Sequence, residues 1–266
     1  MMQEELVRAT PPQRRDSGAV TACRVSVVLP VYNEGQRIRQ TIQRVQAYAA
    51  GHPDYEWLFV NDGSSDATRA ILDEWLPGGC DESGRVRSLH LARNGGKGRA
   101  IAQGFEHARG ERLLFTDGDL AYDLDYLPKL VAALDKADVV MGSRRVRGCD
   151  GARQPSKLRM VMGETFNFLV RLYAGLPYRD TQAGIKGFRA EAVRRIFPFL
   201  RVNGYAIDVE IIFLARKRRL RIVELPVVVG EDHAAKPTSV NLMVEPIRMW
   251  VDVVRMRYRW WQGMYG

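Results

Sequence analysis

Four short clusters in this sequence combine residue types that handle phosphate and divalent cations. Pro30-Val-Tyr-Asn-Glu34, Asn61-Asp-Gly-Ser-Ser-Asp66 and Asp117-Gly-Asp119 each follow an apolar run, and Asn94-Gly-Gly-Lys-Gly-Arg-Ala100 opens a helical stretch. Asp117 and Asp119, spaced i, i+2 around Gly118, can converge on one hard cation. Mg²⁺ or Mn²⁺ prefers such oxygen ligands and keeps positions open for substrate phosphates. Carboxylates gathered from several strand ends repel one another unless a cation or hydrogen-bond donors sit between them. Ser65 and Asp66 also suit the start of a helix, as caps. In the 94–100 cluster, glycines let backbone N–H groups approach an anion at the positive end of a helix. The G-x-x-x-x-G-K-[ST] spacing of a P-loop is absent.

A second set of candidates lies further along. Arg144, Arg145, Arg147, Arg153, Lys157 and Arg159 fall in and beside a polar, glycine-containing stretch. Arginine forks match phosphate oxygens, and the plainer reading is a solvated charged loop. Asp180, Asp208 and Glu210 are carboxylates that could act as a general base toward a hydroxyl, or could stabilise helices and turns.

For these clusters to meet, the runs before them must be neighbouring strands. Patterning predicts strands at 25–30, 55–60, 85–91, 112–116 and 138–142, with helices at 36–50, 66–75, 98–108 and 127–134 between them. Such alternation implies right-handed βαβ units and a mostly parallel central sheet flanked by helices, an α/β fold. Beyond residue 142 the rhythm changes. A loop at 144–157, helices at 158–174, 190–197 and 207–218, a strand at 220–229 and a loop at 230–241 are expected. Residues 1–22 read as a disordered arm, 23–242 as the catalytic domain and 243–266 as an amphipathic helix. In that helix Met243, Ile247, Trp250, Val251, Val254, Tyr258 and Trp261 recur on one side, and Glu245, Arg248, Asp252, Arg255, Arg259 and Gln262 on the other. It can dock on the protein's own core or lie in a bilayer interface.

Composition narrows the classes. With 46% hydrophobic and 27% charged residues over 266 positions, the chain is too apolar for a disordered protein. Cys23, Cys80 and Cys149 are widely spaced and form no C-x-x-C pair, which predicts a reducing compartment and argues against structural zinc. No apolar run is long enough to span a bilayer and no signal-type h-region precedes the first strand, so a cytoplasmic chain is expected. The net charge of +9 favours polyanionic partners without choosing among them.

The order of the motifs resembles family 2 glycosyltransferases of the GT-A fold. Their dolichyl- or polyprenyl-phosphate sugar synthase branch, and its dolichyl-phosphate glucosyltransferase type, fit best. The matching pieces are Leu29-Pro-Val-Tyr-Asn-Glu34, Val60-Asn-Asp-Gly-Ser-Ser-Asp66, Asn94-Gly-Gly-Lys-Gly98, Thr116-Asp-Gly-Asp119, Gly142-Ser-Arg144, Asp180-Thr-Gln-Ala-Gly-Ile-Lys186 and Ala206-Ile-Asp-Val-Glu210. The resemblance implies that Pro30, Tyr32, Glu34 and Asp62 line a nucleotide pocket with Lys97 and Gly118 beside it. It implies that Asp117 and Asp119 hold Mg²⁺ or Mn²⁺ on the diphosphate, that Asp180 lies near the sugar, and that Arg144 and Arg159 hold a lipid phosphate. Two departures stand out. Asn61-Asp-Gly replaces the Asp-Asp-Gly of many relatives. Ala121 stands where some mannosyl-transferring relatives carry a further metal-binding glutamine, and Asp123 could substitute only if its loop turns inward.

The implied reaction is inverting transfer of a hexose, glucose or a close relative, from a UDP- or GDP-sugar to a polyprenyl phosphate, with peripheral contact at the cytoplasmic membrane face. A transferase of the same fold acting on a hydroxyl of a soluble glycan or glycolipid is the alternative. A nucleic-acid-binding module would also account for the charge, but carboxylate-lined strand ends oppose a polyanion groove, so no nucleic acid is expected.

Overall fold

The computed structural model describes residues 23–146, 167–230 and 245–266. The expected arm at 1–22, most of the 144–157 loop with Arg147, Arg153 and Lys157, the first part of the 158–174 helix with Arg159, and the 230–241 loop (its first residue aside) lie outside the described residues.

Seven strands make one sheet in the order β3-β2-β1-β4-β6-β5-β7. β1 (Val25–Val31), β2 (Tyr55–Asn61), β3 (Val86–His90) and β4 (Arg112–Thr116) are mutually parallel, as are β5 (Val139–Ser143) and β7 (Ile222–Pro226). Near-continuous apolar runs such as VSVVLPV belong to strands covered on both faces. Their side chains alternate between two cores. Val28, Leu58 and Val60 face one; Val27, Leu29, Trp57 and Phe59 face the other.

α1 (Ile38–Gly51), α2 (Thr68–Trp75) and α4 (Tyr126–Ala133) cover the second core through Ile38, Ile42, Val45, Ile71, Leu72, Leu127 and Leu130. α3 (Lys97–Glu106), α6 (Ala190–Ile196) and α7 (Ile207–Lys217) cover the first. A short helix over 167–174, here α5, sends Val170 and Ala174 into that same core. α7 is buried nearly all round from Ile207 to Ala215, as a helix wedged between layers must be.

The sequence pattern does not give the seventh strand. β6 (Ile185–Arg189) runs antiparallel between β4 and β5. Its IKGFR composition hides it, because a lysine and a glycine interrupt any apolar alternation. Lys186 is nonetheless fully buried, which a counter-charge inside the protein must make possible. β7 is also shorter than the expected 220–229.

The C-terminal α8 (Glu245–Trp261) is helical as expected, but the stripe that docks is not the expected one. Val253 and Met256 are buried in the first core with Met249, Trp250 and Trp260 against them, whereas Ile247, Val251, Tyr258 and Trp261 are exposed, so of the expected stripe Trp250 alone packs on that core. The chain end is fastened by Tyr265, whose hydroxyl donates to Glu210. Glu210 also accepts from the backbone N–H groups of Arg201 and Val202 at 2.9–3.1 Å. Burial pushes its carboxyl up and these donors oppose the rise. Of the three candidate bases, Glu210 is therefore a structural anchor, turned to the 201–202 loop and the chain end.

Because hydrogen bonds to a charged group contribute about 1.5–3 kcal/mol each, Tyr265→Phe should lower unfolding free energy by about that amount. Urea denaturation followed by circular dichroism measures it.

Candidate active site

β2, β1 and β4 lie side by side, and the chain changes direction across the sheet between β1 and β4, the position where open α/β sheets bind ligands. The C-terminal ends of these strands carry three of the clusters singled out in the sequence. Their loops are tied together by their own polar side chains. Asn33 takes a left-handed φ of 54° and accepts from the Ser65 N–H at 2.9 Å, while its own N–H donates to Ser64 Oγ at 2.9 Å. Asp66, one residue ahead of the N-cap of α2, accepts from the Thr68 N–H at 2.9 Å through Oδ1 and from the Gly35 N–H at 2.9 Å through Oδ2. The Glu34 N–H donates to Thr68 Oγ1 at 2.8 Å. Tyr32 is exposed and Pro30 is half-buried.

Asp62 has a role the sequence does not reveal. It is buried, and its two oxygens accept from the Gly95 and Gly96 N–H groups at 2.9 and 2.7 Å. The anion gathered by the glycine-rich turn is thus an internal carboxylate. Gly96 has φ 88°, and a Cβ there would collide with the Asn203 carbonyl, so the turn needs glycine on both counts. Asn61 in place of an aspartate also has a local reason. Its Oδ1 accepts from Ser64 and its Nδ2 pairs with His90 Nδ1 at 3.1 Å, which a carboxylate could not do by donation.

Lys97, the first residue of α3, lies at the centre. Its Nζ is 2.8 Å from Asp117 Oδ1 and 3.1 Å from Asp208 Oδ2. Asp208 Oδ1 is in turn 2.5 Å from the Nζ of the buried Lys186, which also donates to the Ala183 carbonyl at 2.7 Å. Both ammonium groups sit 5.5 Å from the Phe115 ring centroid. Burial works against every charge here. It pushes Lys97 down, but Asp117 and Asp208 outweigh it and raise Lys97 above its ordinary value. It pushes Asp208 up, but the two lysines hold that carboxyl low. Lys186 is lowered by burial and, less, by Lys97, against the pull of Asp208.

Asp117 ends up raised, by burial first and then by the neighbouring Asp208 and Asp119 carboxylates, against Lys97. Glu34 is raised in the same way, by burial and by Asp119, Asp66 and Asp117. Asp119 Oδ1 accepts from the Ala121 N–H at 3.2 Å, and the Gly118 carbonyl accepts from Thr41 Oγ1 at 3.1 Å, which fixes the Asp117–Asp119 bend. Gly184 lies directly under Asp117: its carbonyl accepts from the Asp117 N–H at 3.1 Å, and a Cβ on it would overlap the carboxylate.

The donor set fits Mg²⁺ or Mn²⁺. Asp117 and Asp119 are hard oxygen ligands, Asp117 is 38% exposed, and its raised carboxyl marks a place where added positive charge is favourable. Among the described residues no three His, Cys, Asp or Glu side chains gather as a self-sufficient metal cage. Two carboxylates completed by substrate phosphates are the usual Mg²⁺ arrangement. Asp123 adds nothing: it is exposed and accepts from the Asp125 N–H at 2.8 Å, so its loop does not turn inward.

Across the mouth, Arg144 leaves the end of β5 and meets Asp180 by a two-point fork, Nε to Oδ2 at 2.7 Å and Nη2 to Oδ1 at 3.0 Å. The Arg144 and Gln182 N–H groups donate to the same carboxylate. Asp180 is buried, whereas the Arg144 side chain is 41% exposed. Burial would raise Asp180, but Arg144 and the two amides bring it down to about 2. Tyr122, buried between Arg144, Asp117 and Asp180, is raised to about 12, chiefly by burial. Lys186, Gly184 and Tyr122 are site residues that the sequence reading assigned no role.

The match to known proteins agrees with this geometry. Residues 26–197 fit the model of "Glycosyl transferase family 2". The chain belongs to glycosyl transferase family 2. Within it, this family 2 protein is 34% identical over 250 residues to a Drosophila melanogaster dolichyl-phosphate beta-glucosyltransferase, covering 89% of this chain and 74% of that one. In fold it resembles glucosyl-3-phosphoglycerate synthase from Mycobacterium tuberculosis in complex with Mn²⁺, UDP and glucosyl-3-phosphoglycerate. That TM-score is 0.61 at 18% identity, over 88% of this chain and 78% of that one. It also resembles the Pyrobaculum calidifontis mannosyltransferase in complex with GDP-Man and Mn²⁺, with TM-score 0.53 at 18% identity over 77% and 56%. These two likenesses are of fold, and the fold is GT-A.

Two outcomes are expected. Gly184→Ala should push the Asp117 carboxylate aside and weaken Mn²⁺ binding, read by calorimetry, with the unfolding midpoint little changed. Asp180 lies below its unfolded value near 4, so its ion pair stabilises fully above about pH 4 and is lost as pH falls toward 2. Asp180→Asn should therefore cost about 2 kcal/mol at pH 7. In urea titrations that deficit should narrow below pH ~4.

Proposed function

We propose that this family 2 glycosyltransferase moves a hexose, glucose or a close relative, from a nucleoside-diphosphate sugar to a polyprenyl or dolichyl phosphate, with inversion. Relatives from Drosophila melanogaster and Homo sapiens, covered over 74% and 75% of their own length, are named dolichyl-phosphate beta-glucosyltransferase. The observation that carries the reading is the state of the carboxylates. A hydroxyl acceptor needs a base with an available, suitably basic oxygen. Asp180 is held at about 2 by Arg144, Asp208 is held low between two lysines, and Glu210 faces the chain end. A phosphate acceptor, whose second pKa is about 6, arrives already as a nucleophile and asks only to be positioned.

Arg144 supplies that positioning. Asp180 takes one edge of its guanidinium and fixes its plane, while the exposed remainder can receive phosphate oxygens by a fork. On the donor side, Pro30, Tyr32 and Glu34 border the nucleotide, and Asp62 acts on it through the glycine turn it holds. Asp117 and Asp119 would hold Mg²⁺ or Mn²⁺, which when bound neutralises charge building on the departing diphosphate. Lys97 favours the charged form of Asp117, against burial and the neighbouring acids, and fixes it in place. Arg159 is proposed as a second cation for the acceptor phosphate. Both UDP- and GDP-sugars suit this site chemistry. The unpaired Cys23 and Cys80 accord with a cytoplasmic location, and no described helix is long and apolar enough to cross a membrane. On this reading the acceptor is met at the cytoplasmic membrane face.

The test is incubation with labelled UDP- and GDP-hexoses and a prenyl phosphate. Label should enter an organic-extractable product cleaved by mild acid. Asp117→Ala and Asp119→Ala should each lose about 100- to 1,000-fold in kcat, and chelator should do the same. Arg144→Lys, which keeps charge but not the fork, should raise KM for the prenyl phosphate. Label found only in a water-soluble glycoside would sink the assignment in favour of a hydroxyl acceptor.

A further inference from the structure

α8 carries two apolar stripes. One, Met249, Val253, Met256 and Trp260, is used against the core. The other, Ile247, Val251, Val254, Tyr258 and Trp261, recurs at helical spacing and faces out, with Ile247 at 66% and Trp261 at 82% exposure. A helix that only docked on its own protein would need one stripe.

α5 continues this outer surface. Its Phe168, Leu169, Leu172 and Tyr173 are exposed, Leu172 to 67%. The Tyr173 ring lies 5.3 Å from that of Trp250 at a tilt of 54°, and the Arg257 guanidinium lies 5.6 Å from the Tyr173 ring. Tyr173, Val254, Tyr258 and Trp261 line one open depression between the two helices. Apart from Tyr32, Tyr205 and Met264, every exposed large hydrophobic among the described residues lies in these two helices. Scattered apolar residues need no explanation; a contiguous patch of this kind marks a contact surface.

We propose that α5 and the outer stripe of α8 form one surface that lies in the interface of an anionic lipid bilayer. The charges choose this occupant. Residues 167–174 and 245–264 hold Arg171, Arg248, Arg255, Arg257 and Arg259 against two acids, Glu245 and Asp252. Arginines around Trp, Tyr and aliphatic side chains match anionic headgroups above an acyl boundary. A second copy of this chain would instead set like charges opposite each other across a two-fold contact. The surface also leads to the site. Asn167, at the start of α5, donates to the Arg179 carbonyl at 2.9 Å, next to Asp180, which grips Arg144. A protein seated on this face brings Arg144 close to the headgroup layer, where a prenyl phosphate presents its charge. The proposal rests in that last respect on the acceptor class given above.

The full chain should be spun with phosphatidylcholine vesicles, with and without phosphatidylglycerol. Sedimentation with the anionic vesicles, weakening as salt rises, is the expected result. The double variant Val251→Glu/Trp261→Glu and the single Leu172→Glu alter exposed positions. Each should lose about tenfold or more in vesicle affinity with an unchanged unfolding midpoint. Turnover of a short, water-soluble prenyl phosphate should be unaffected in these variants, because that acceptor needs no bilayer. Failure of the wild type to sediment, or equal sedimentation of the variants, would overturn the proposal. So would light scattering that shows a dimer dissolved by the same substitutions. Vesicle binding without any label on prenyl phosphate would leave the membrane surface standing and refute the acceptor assignment instead.

Discussion

Two lysines and two aspartates, drawn from α3, β6, β4 and α7, meet beneath the rim of the sheet, and their charges cancel. Burying any one of them alone would be prohibitive, and burying a single pair is at best marginal. The chain of contacts Asp117–Lys97–Asp208–Lys186 solves this by sharing each central group between two partners. The position of Asp117 is thereby set by residues far apart in sequence, and the carboxylate proposed to face the diphosphate is held from behind. An insertion in β6 or a half-turn rotation of α7 would strand a charge and move the site together.

The remaining polar groups divide into those that hold loops and those that face the cleft. Asp62, Asp66, Asn33 and Asn61 turn their oxygens toward backbone N–H groups and hydroxyls of adjacent loops. They make the three strand ends into one rigid floor. Glu34 and Asp117 are left as the acids whose ionisation is unfavourable without added positive charge, with Asp119 beside them. Arg144 stands opposite, its plane fixed by a carboxylate too acidic to take a proton near neutrality. Negative charge is thus concentrated where a cation-bound diphosphate would leave, and positive charge where a phosphate would attack.

The parallel half of the sheet was legible because its strands are buried on both faces and read as unbroken apolar runs. The motifs at the ends of β1, β2 and β4 were legible for the same reason, since polar residues directly after such runs must lie at the sheet's edge. β6 was not, because Lys186 and Gly187 make sense only with Asp208 and a closely packed neighbour present. Glu210 looked like a candidate base, and the turn that Asp62 holds stayed hidden, because sequence records residue type but not which way a side chain turns. α8 was seen as amphipathic, yet with two apolar stripes on one helix the sequence could not say which was the inner one. Gly184 escaped notice because the reason for it, a carboxylate pressed against its Cα, lies 67 positions away at Asp117.

The reversed strand β6 has a consequence for how the chain comes together. β4 and β5 leave a strand-wide gap between them, and the segment that fills it follows both in sequence. During synthesis, the first five strands emerge with two unpaired edges facing each other, a ready template for mispairing. Closure of that gap delivers Lys186 and Gly184 in the same motion. Assembly of the sheet and completion of the reactive centre are therefore one late folding event, and an unfinished chain would have neither.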